Sequence, residues 1–230
     1  FRRCPQLFRR KRLGLIPDED RPAYLVGRAA HTAILEGMDA FQDSFAVGGP
    51  INPKTGQPYG VSTKTWTEWA EAQGKPVLTP TQNELVQNLS QAVAGHPIAQ
   101  ELLLVGQAES VVRAEYGEVA CQIRMDWFDT TTGITDLKTV DALDYFEADA
   151  RRYGYVHQLA FYRSVLQAGS GLRFTCQFIA VEKKEPFRVG VWLITGDLLD
   201  YAERENLAAI KRLRQCETED RWPTGYEDLR

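Results

Sequence analysis

Asp126, Asp136 and Lys138 are the residues of this chain best suited to chemistry, with Glu109 upstream of them. Asp136 and Lys138 fall in the run Ile134-Thr-Asp-Leu-Lys-Thr, which reads as a strand. Side chains two apart on a strand project from the same face, so the acid and the amine point together and Leu137 turns the other way. Asp126 stands at the end of the preceding strand, across a glycine-containing turn at 130–133. Several carboxylates beside one lysine suit a divalent cation that activates water against a phosphodiester. Asp-x-Lys by itself equally fits an exposed strand with one ion pair, which contributes little to stability. The elements around it have to decide.

Three strands, at 109–116, 119–128 and 133–140, form a meander that carries Glu109, Asp126 and the Asp136/Lys138 pair. A long helix is predicted over about 142–168, then strands at 172–182 and 187–195, then a helix over 197–215. Upstream, a helix is predicted over 20–37, carrying His31 and ending at Gly37. Residues 48–66 are a long polar loop rich in Gly, Pro and Asn. A short helix over 66–74 carries Trp66 and Trp69, and a longer one over 80–105 is capped by Thr79 or Thr81. His96, before Pro97, reads as a loop residue. This order implies an α/β fold, a central mixed sheet flanked by helices. The chain reads as one unit: a mainly helical part at 1–105, an α/β core at 106–215 and a tail at 216–230.

The chain has 230 residues and a net charge of −4, so bulk charge does not advertise nucleic acid and a polyanionic partner needs local basic patches. Arg2, Arg3, Arg9, Arg10, Lys11 and Arg12 supply one, which is either a solvated arm or a phosphate contact. Arg151 and Arg152 supply a second, close in sequence to the acidic residues. No apolar run is long enough to span a membrane. The chain opens on Phe1, as a segment from inside a longer product would, and shows no signal peptide. Four cysteines are scattered with no C-x-x-C, which argues against structural zinc. Cys121 and Cys176 lie in apolar runs and read as buried thiols, consistent with a reducing cytoplasm.

With these residues in place the chain resembles the PD-(D/E)XK nuclease superfamily, and within it the RecE-type (exonuclease VIII-like) exonucleases of phage and prophage recombination. GRAAHTAILEGMDAFQDSFAV is similar to that branch's histidine-bearing helix and its F-x-x-x-F-x-V segment, and TGQPYGVSTKTWTEWAEAQGKPVLTPTQ to its linking region. GQAES, RMDWFDTTTGITDLKT and YGYVHQLAFY are similar to its catalytic motifs, in the same order. His31 matches the motif histidine, Glu109 the first acid, Asp126 the central aspartate, and Asp136 with Lys138 the (D/E)-x-K pair. Tyr155 and Gln158 match the tyrosine and glutamine of the following helix, and Gln158 to Tyr162 repeats a Q-x-x-x-Y spacing shared with RecB-like nucleases. Met125 stands where the superfamily often has proline. Some RecB-like relatives hold an iron–sulfur cluster through one early cysteine and three late ones; Cys4 and Cys216 are too few for that here.

The resemblance implies a restriction-endonuclease-like core and a Mg²⁺ requirement, with Mn²⁺ as substitute. Asp126 would be the primary ligand, with Asp136 and the Leu137 carbonyl beside it, and Glu109 would hold a second metal. Lys138 would orient the attacking water and stabilise developing charge. His31 would contact the metal, a water of its shell or the scissile phosphate, and Gln158 the substrate backbone or a site carboxylate. The implied activity is exodeoxyribonucleolytic: one strand of linear duplex degraded from its 5′ end, exposing a 3′ overhang for recombination. A homotetrameric ring, a single-strand annealing partner and a bacterial cytoplasm are implied with it. Two other readings stay open beside it, a RecB-like enzyme trimming single strands and an inert nuclease-fold module that binds DNA. An unrelated α/β protein would scatter Glu109, Asp126 and Asp136 apart in space.

Overall fold

The computed structural model describes residues 3–17 and 22–227, without the side chains of 22 and 23. Arg2 and the first residues of the helix expected from 20 lie outside them. The described elements are α1 (Pro5–Arg12), α2 (Pro22–His31), α3 (Met38–Ser44), β1 (Ala46–Val47), α4 (Lys64–Ala72), β2 (Val77–Leu78), α5 (Pro80–Ala94) and α6 (Pro97–Leu102). There follow β3 (Gln107–Tyr116), β4 (Val119–Asp129), β5 (Gly133–Val140), α7 (Phe146–Tyr153), α8 (Tyr155–Ser170), β6 (Cys176–Glu182), β7 (Val189–Leu193) and α9 (Gly196–Glu219).

Five strands form one mixed sheet in the order β3-β4-β5-β6-β7. Only β5 and β6 run parallel; the other neighbours are antiparallel. A parallel pair needs a long crossover, and α7 with α8 provides it. Every residue of β6 is buried, as expected for a strand covered on both faces. On one face Met125, Ile134 and Phe178 pack against Leu159 and Val165 of α8 and Leu199 of α9. On the other, Leu137, Ile179 and Val181 pack against Ala30 of α2 and Leu89 and Val93 of α5. A smaller core joins α2, α3 and α5 through Val26, Phe41 and Val86. The alternation predicted for β5 therefore holds: Leu137 faces α5, opposite to Ile134.

Several elements differ from the sequence reading. The helix expected over 142–168 is broken at Gly154, which takes φ 76 and ψ 32. A side chain would cost about 1–2 kcal/mol there. The helix expected over 80–105 stops at Gly95, because Pro97 cannot continue it. His96 is the N-cap of α6 rather than a loop residue, its Nδ1 accepting from the Ala99 N–H at 3.2 Å. Thr79 caps α5 in a reciprocal box with Gln82. After His31 the chain winds as a π-helical turn over Thr32–Glu36. The short α3 and the two-residue pair β1–β2 have no clear sequence signature. The basic opening segment is a helix docked on the end of α9, where Arg12 meets Glu217 at 2.6 Å and Arg9 meets Asp220 at 2.8 Å. No described helix is long and apolar enough to cross a membrane.

Candidate metal centre

Strands in step keep alternate residues on alternate faces. β3 and β4 lose step at one pair. Ala108 packs on the α5 side, whereas Val112 and Ala114 face α8. In β4, Met125 and Phe128 face α8 while Trp127 faces the other way. Ala108 pairs with Trp127 and Ser110 with Met125, so Glu109 and Asp126 stand opposite each other with the ladder interrupted. Glu109 takes φ 52, a left-handed value uncommon for a side chain of its size. The β4–β5 ladder also ends here, at Trp127–Thr135. Beyond it the Leu137 N–H donates to Asp126 Oδ2 at 2.9 Å, the carboxylate standing in for a backbone acceptor. The two acids are thus aimed by the point at which three strands separate.

α2 brings His31 over that point, with Nδ1 3.6 Å from Asp126 Oδ2. One ligand atom each from His31, Glu109 and Asp126 lies within 4.8 Å of the other two. They line a cleft of about 700 Å³ whose wall also carries Lys138, Gln158 and Tyr162. Asp136 is not among the three. It has no exposure at all, its Oδ1 ion-pairs with the Lys138 ammonium, and neither of its oxygens accepts a well-formed hydrogen bond.

Burial pushes the Asp136 carboxyl up to about 6 against the pull of Lys138. Burial also raises Asp126, again opposed by Lys138, and raises Glu109 against the nearby Arg124. Burial presses His31 down to about 4, leaving a neutral imidazole with a lone pair to offer. For Lys138 burial works against the charge, but Asp136 and Asp126 outweigh it and the ammonium is held more firmly than usual. The ammonium lies 4.9 Å above the Tyr155 ring. Buried acids with unsatisfied oxygens beside a neutral imidazole form a site short of positive charge. The donor set, mostly carboxylate oxygen with one imidazole, fits a hard divalent cation such as Mg²⁺ or Mn²⁺.

The structure thus gathers His31, Glu109, Asp126, Lys138 and Gln158 on one wall, with Asp136 beneath them. The Leu137 side chain points into the opposite core, while its backbone N–H donates to Asp126. Gln158 Nε2 donates to the Tyr162 hydroxyl at 2.7 Å, one turn apart on α8. Tyr155 lies behind Lys138, packed on Phe146 and Phe178. His157 turns to α9, with Nε2 2.6 Å from Glu205. Arg28 and Arg124 also line the cleft, and Arg124 Nε lies 2.8 Å from Glu109 Oε2. The sequence carries a signal for both: Arg124 is two residues before Asp126 on a strand, and Arg28 three before His31 on a helix.

Comparison with known proteins agrees with this geometry at the level of fold. The crystal structure of a "Putative exonuclease" from Eubacterium rectale superposes with a TM-score of 0.67 at 16% identity, covering 98% of this chain and 79% of the other. LHK-Exo in complex with dAMP gives a TM-score of 0.35 at 12% identity, covering 85% of this chain and 93% of the other, a likeness too slight to carry an argument. No curated protein matches the chain. Residues 1–229 match the family described as "PDDEXK-like domain of unknown function (DUF3799)", and the chain belongs to that family.

Proposed function

We propose that the protein is a divalent-metal-dependent nuclease that hydrolyses phosphodiester bonds of DNA, and that it acts as an exonuclease. The observation that carries this reading is the meeting of His31, Glu109 and Asp126 within 4.8 Å beside the buried Asp136–Lys138 pair. Scattered surface charges have no reason to converge where a sheet splits. In this reading Asp126, Glu109, Asp136, the Leu137 carbonyl and His31 would hold the metal, which when bound supplies Lewis acidity and a water acidic enough to attack. Lys138 donates hydrogen bonds to the attacking water and to the phosphate oxygen that gains charge. Tyr155 and Asp136 fix that ammonium from behind, so little reorganisation is needed as charge develops. Gln158, held by Tyr162, presents an amide to the sugar–phosphate backbone. Arg28 and Arg124 add positive charge along the cleft wall.

Following the resemblance of the motifs, the substrate is the end of linear duplex DNA. One strand is removed from its 5′ terminus, leaving a 3′ overhang for recombination, by a homotetrameric ring working with a single-strand annealing protein in a bacterial cytoplasm. The Eubacterium rectale structure supports the exonuclease class through its description and its fold.

The test is cleavage of end-labelled linear duplex with and without Mg²⁺, beside Lys138→Ala and Asp126→Asn. Metal-dependent loss of the 5′ strand by wild type alone is expected. Unchanged cleavage by both variants would refute the site. Wild type that binds DNA but never cuts it would leave an inert binding module.

A further inference from the structure

A second concavity, of about 510 Å³, opens beside the metal cleft, and Gln158 lines both. Its walls come from α1 with the residues just before it, from the α7–α8 turn and from Asn206 of α9, and include Arg3, Lys11, Tyr153, Gly154 and His157. These elements are far apart in sequence and are held together here. The Arg3 guanidinium donates to the Arg152 carbonyl of α7, and the Gln6 N–H fastens α1 to the tail by donating to the Pro223 carbonyl at 3.1 Å. Four basic residues at this end of the chain divide into two sets. Arg9 and Arg12 turn to α9 and the tail, pairing with Asp220 and Glu217 and lying over the Trp222 ring. Arg3 and Lys11 turn to the concavity.

The aromatic residues of the turn are arranged as a short stack leading out of the reaction centre. Tyr155 lies under the Lys138 ammonium, and Tyr153 stacks on Tyr155 with ring centroids 5.8 Å apart and planes 28° apart. The Arg152 guanidinium lies over Tyr153 at 5.5 Å, yet Tyr153 remains 58% exposed. Aromatic rings and guanidinium planes are the surfaces on which unpaired bases stack, and basic side chains beside them track the backbone. A large exposed tyrosine contributes nothing to a core. The floor beneath it is fixed, because Asn206 Nδ2 donates to the His157 carbonyl at 2.8 Å.

We infer that this concavity is a binding site for an unpaired nucleotide of the DNA strand being cut, adjacent to the scissile phosphate. Its base stacks on the Tyr153–Arg152 surface, and its phosphates face Arg3 and Lys11. The inference rests on the nuclease reading and goes beyond it, because it places a base-stacking platform outside the reacting groups. It also explains why α1 is docked where it is, since that helix closes one wall of the path by which a separated strand passes the metal centre.

The experiment uses the full chain in EDTA, so that binding is read without cutting. The probe is a linear duplex with a short single-stranded end carrying 5-iododeoxyuridine at successive positions. Ultraviolet crosslinking followed by peptide mapping should place the adduct on Tyr153 at one or two neighbouring positions. Tyr153→Ala should abolish that adduct and weaken binding by fluorescence anisotropy about tenfold, and Tyr153→Trp should restore binding. If wild type cuts duplex while Tyr153→Ala binds equally well and adducts map elsewhere, the subsite is wrong and the nuclease reading stands. If wild type with Mg²⁺ neither binds nor cuts DNA, both fall.

Discussion

Asp136 inside β5 and Glu182 at the end of the adjoining β6 are both buried carboxylates, and they are treated in opposite ways. Glu182 takes Arg188 Nε at 2.7 Å and Nη2 at 3.0 Å, one on each oxygen. The same guanidinium forks to Asp144 at 3.2 and 3.1 Å. Hydrogen bonds from Arg188 hold both acids below their ordinary range. Asp136 has one ammonium on one oxygen and nothing on the other, and burial drives it up. The first cluster is complete within the fold and serves it. The second is left open, and an open buried acid costs stability unless something outside the chain completes it. On the proposed function, the first cluster serves the fold and the second serves the chemistry.

The largest expected effect breaks the comparison directly. Asp136→Asn should lower DNA cleavage by at least about a hundredfold, a loss typical of removing one transition-state electrostatic contact. Glu182→Gln should leave cleavage within about threefold, since it touches no wall of the cleft. Initial rates on labelled duplex measure both. Equal losses would mean that Asp136 is a structural acid like Glu182.

Metal titration comes next. A ligand at a hundred times its dissociation constant stabilises a fold by about 2.7 kcal/mol, which for a chain this long is a rise of about 5–10 °C in Tm. Mn²⁺ should produce such a rise in wild type and in Glu182→Gln, and almost none in Asp126→Asn. Thermal melts with and without Mn²⁺ read this independently of any substrate. A rise that survives in Asp126→Asn would move the cation elsewhere.

The pH dependence of the two acids should have opposite signs. Asp136 is raised in the fold to about 6, so between its unfolded value and 6 the native state binds the extra proton. Its contribution to stability therefore falls as pH rises through that window. Glu182 is depressed in the fold, so its contribution is present above the unfolded value and lost as pH falls. Urea unfolding of the metal-free chain at pH 4.5 and pH 7 should show Asp136→Asn gaining relative to wild type at pH 7, and Glu182→Gln losing most there. The Mn²⁺-induced rise in Tm should be larger at pH 7.5 than at 5.5, because below about 6 a proton competes for Asp136.

The strands that carry these acids were largely legible from residue order, but the contrast between them was not. The Asp-x-Lys spacing fixed one face of β5, and the strand edges of β3, β4 and β5 fell within two residues of where the structure has them. Glycine at 154 was visible, but periodicity carried the helical reading across it, because a single glycine inside a helix costs only about 1 kcal/mol and a left-handed break is a tertiary choice. The loss of step at Glu109 and Asp126 was not legible at all: a positive φ on glutamate is imposed by neighbouring strands and leaves no mark in composition. The open state of Asp136 was hidden for the same reason, since Asp-x-Lys reads alike whether exposed or sealed. The docking of α1 depended on partners more than 200 residues away, Glu217 and Asp220.

The smallest effect concerns Arg124, which sharpens the comparison within the metal centre itself. Its guanidinium lies 2.8 Å from Oε2 of Glu109, one of the three converging residues, yet its side chain is 69% exposed. A cation arriving at Glu109 meets the Arg124 guanidinium already in place, as one at Asp136 meets the Lys138 ammonium, but the guanidinium stands in solvent and the ammonium is buried. Exposed ion pairs contribute about 0.2–1 kcal/mol, so removing this one should change affinity by no more than about fivefold. Arg124→Gln should therefore tighten Mn²⁺ binding by two- to fivefold in calorimetric titration, and raising the salt concentration should shrink the difference. Weaker Mn²⁺ binding in Arg124→Gln would mean that the guanidinium aims Glu109 at the cation instead of competing with it. The left-handed backbone at 109 would then need Arg124 to hold the carboxylate in line.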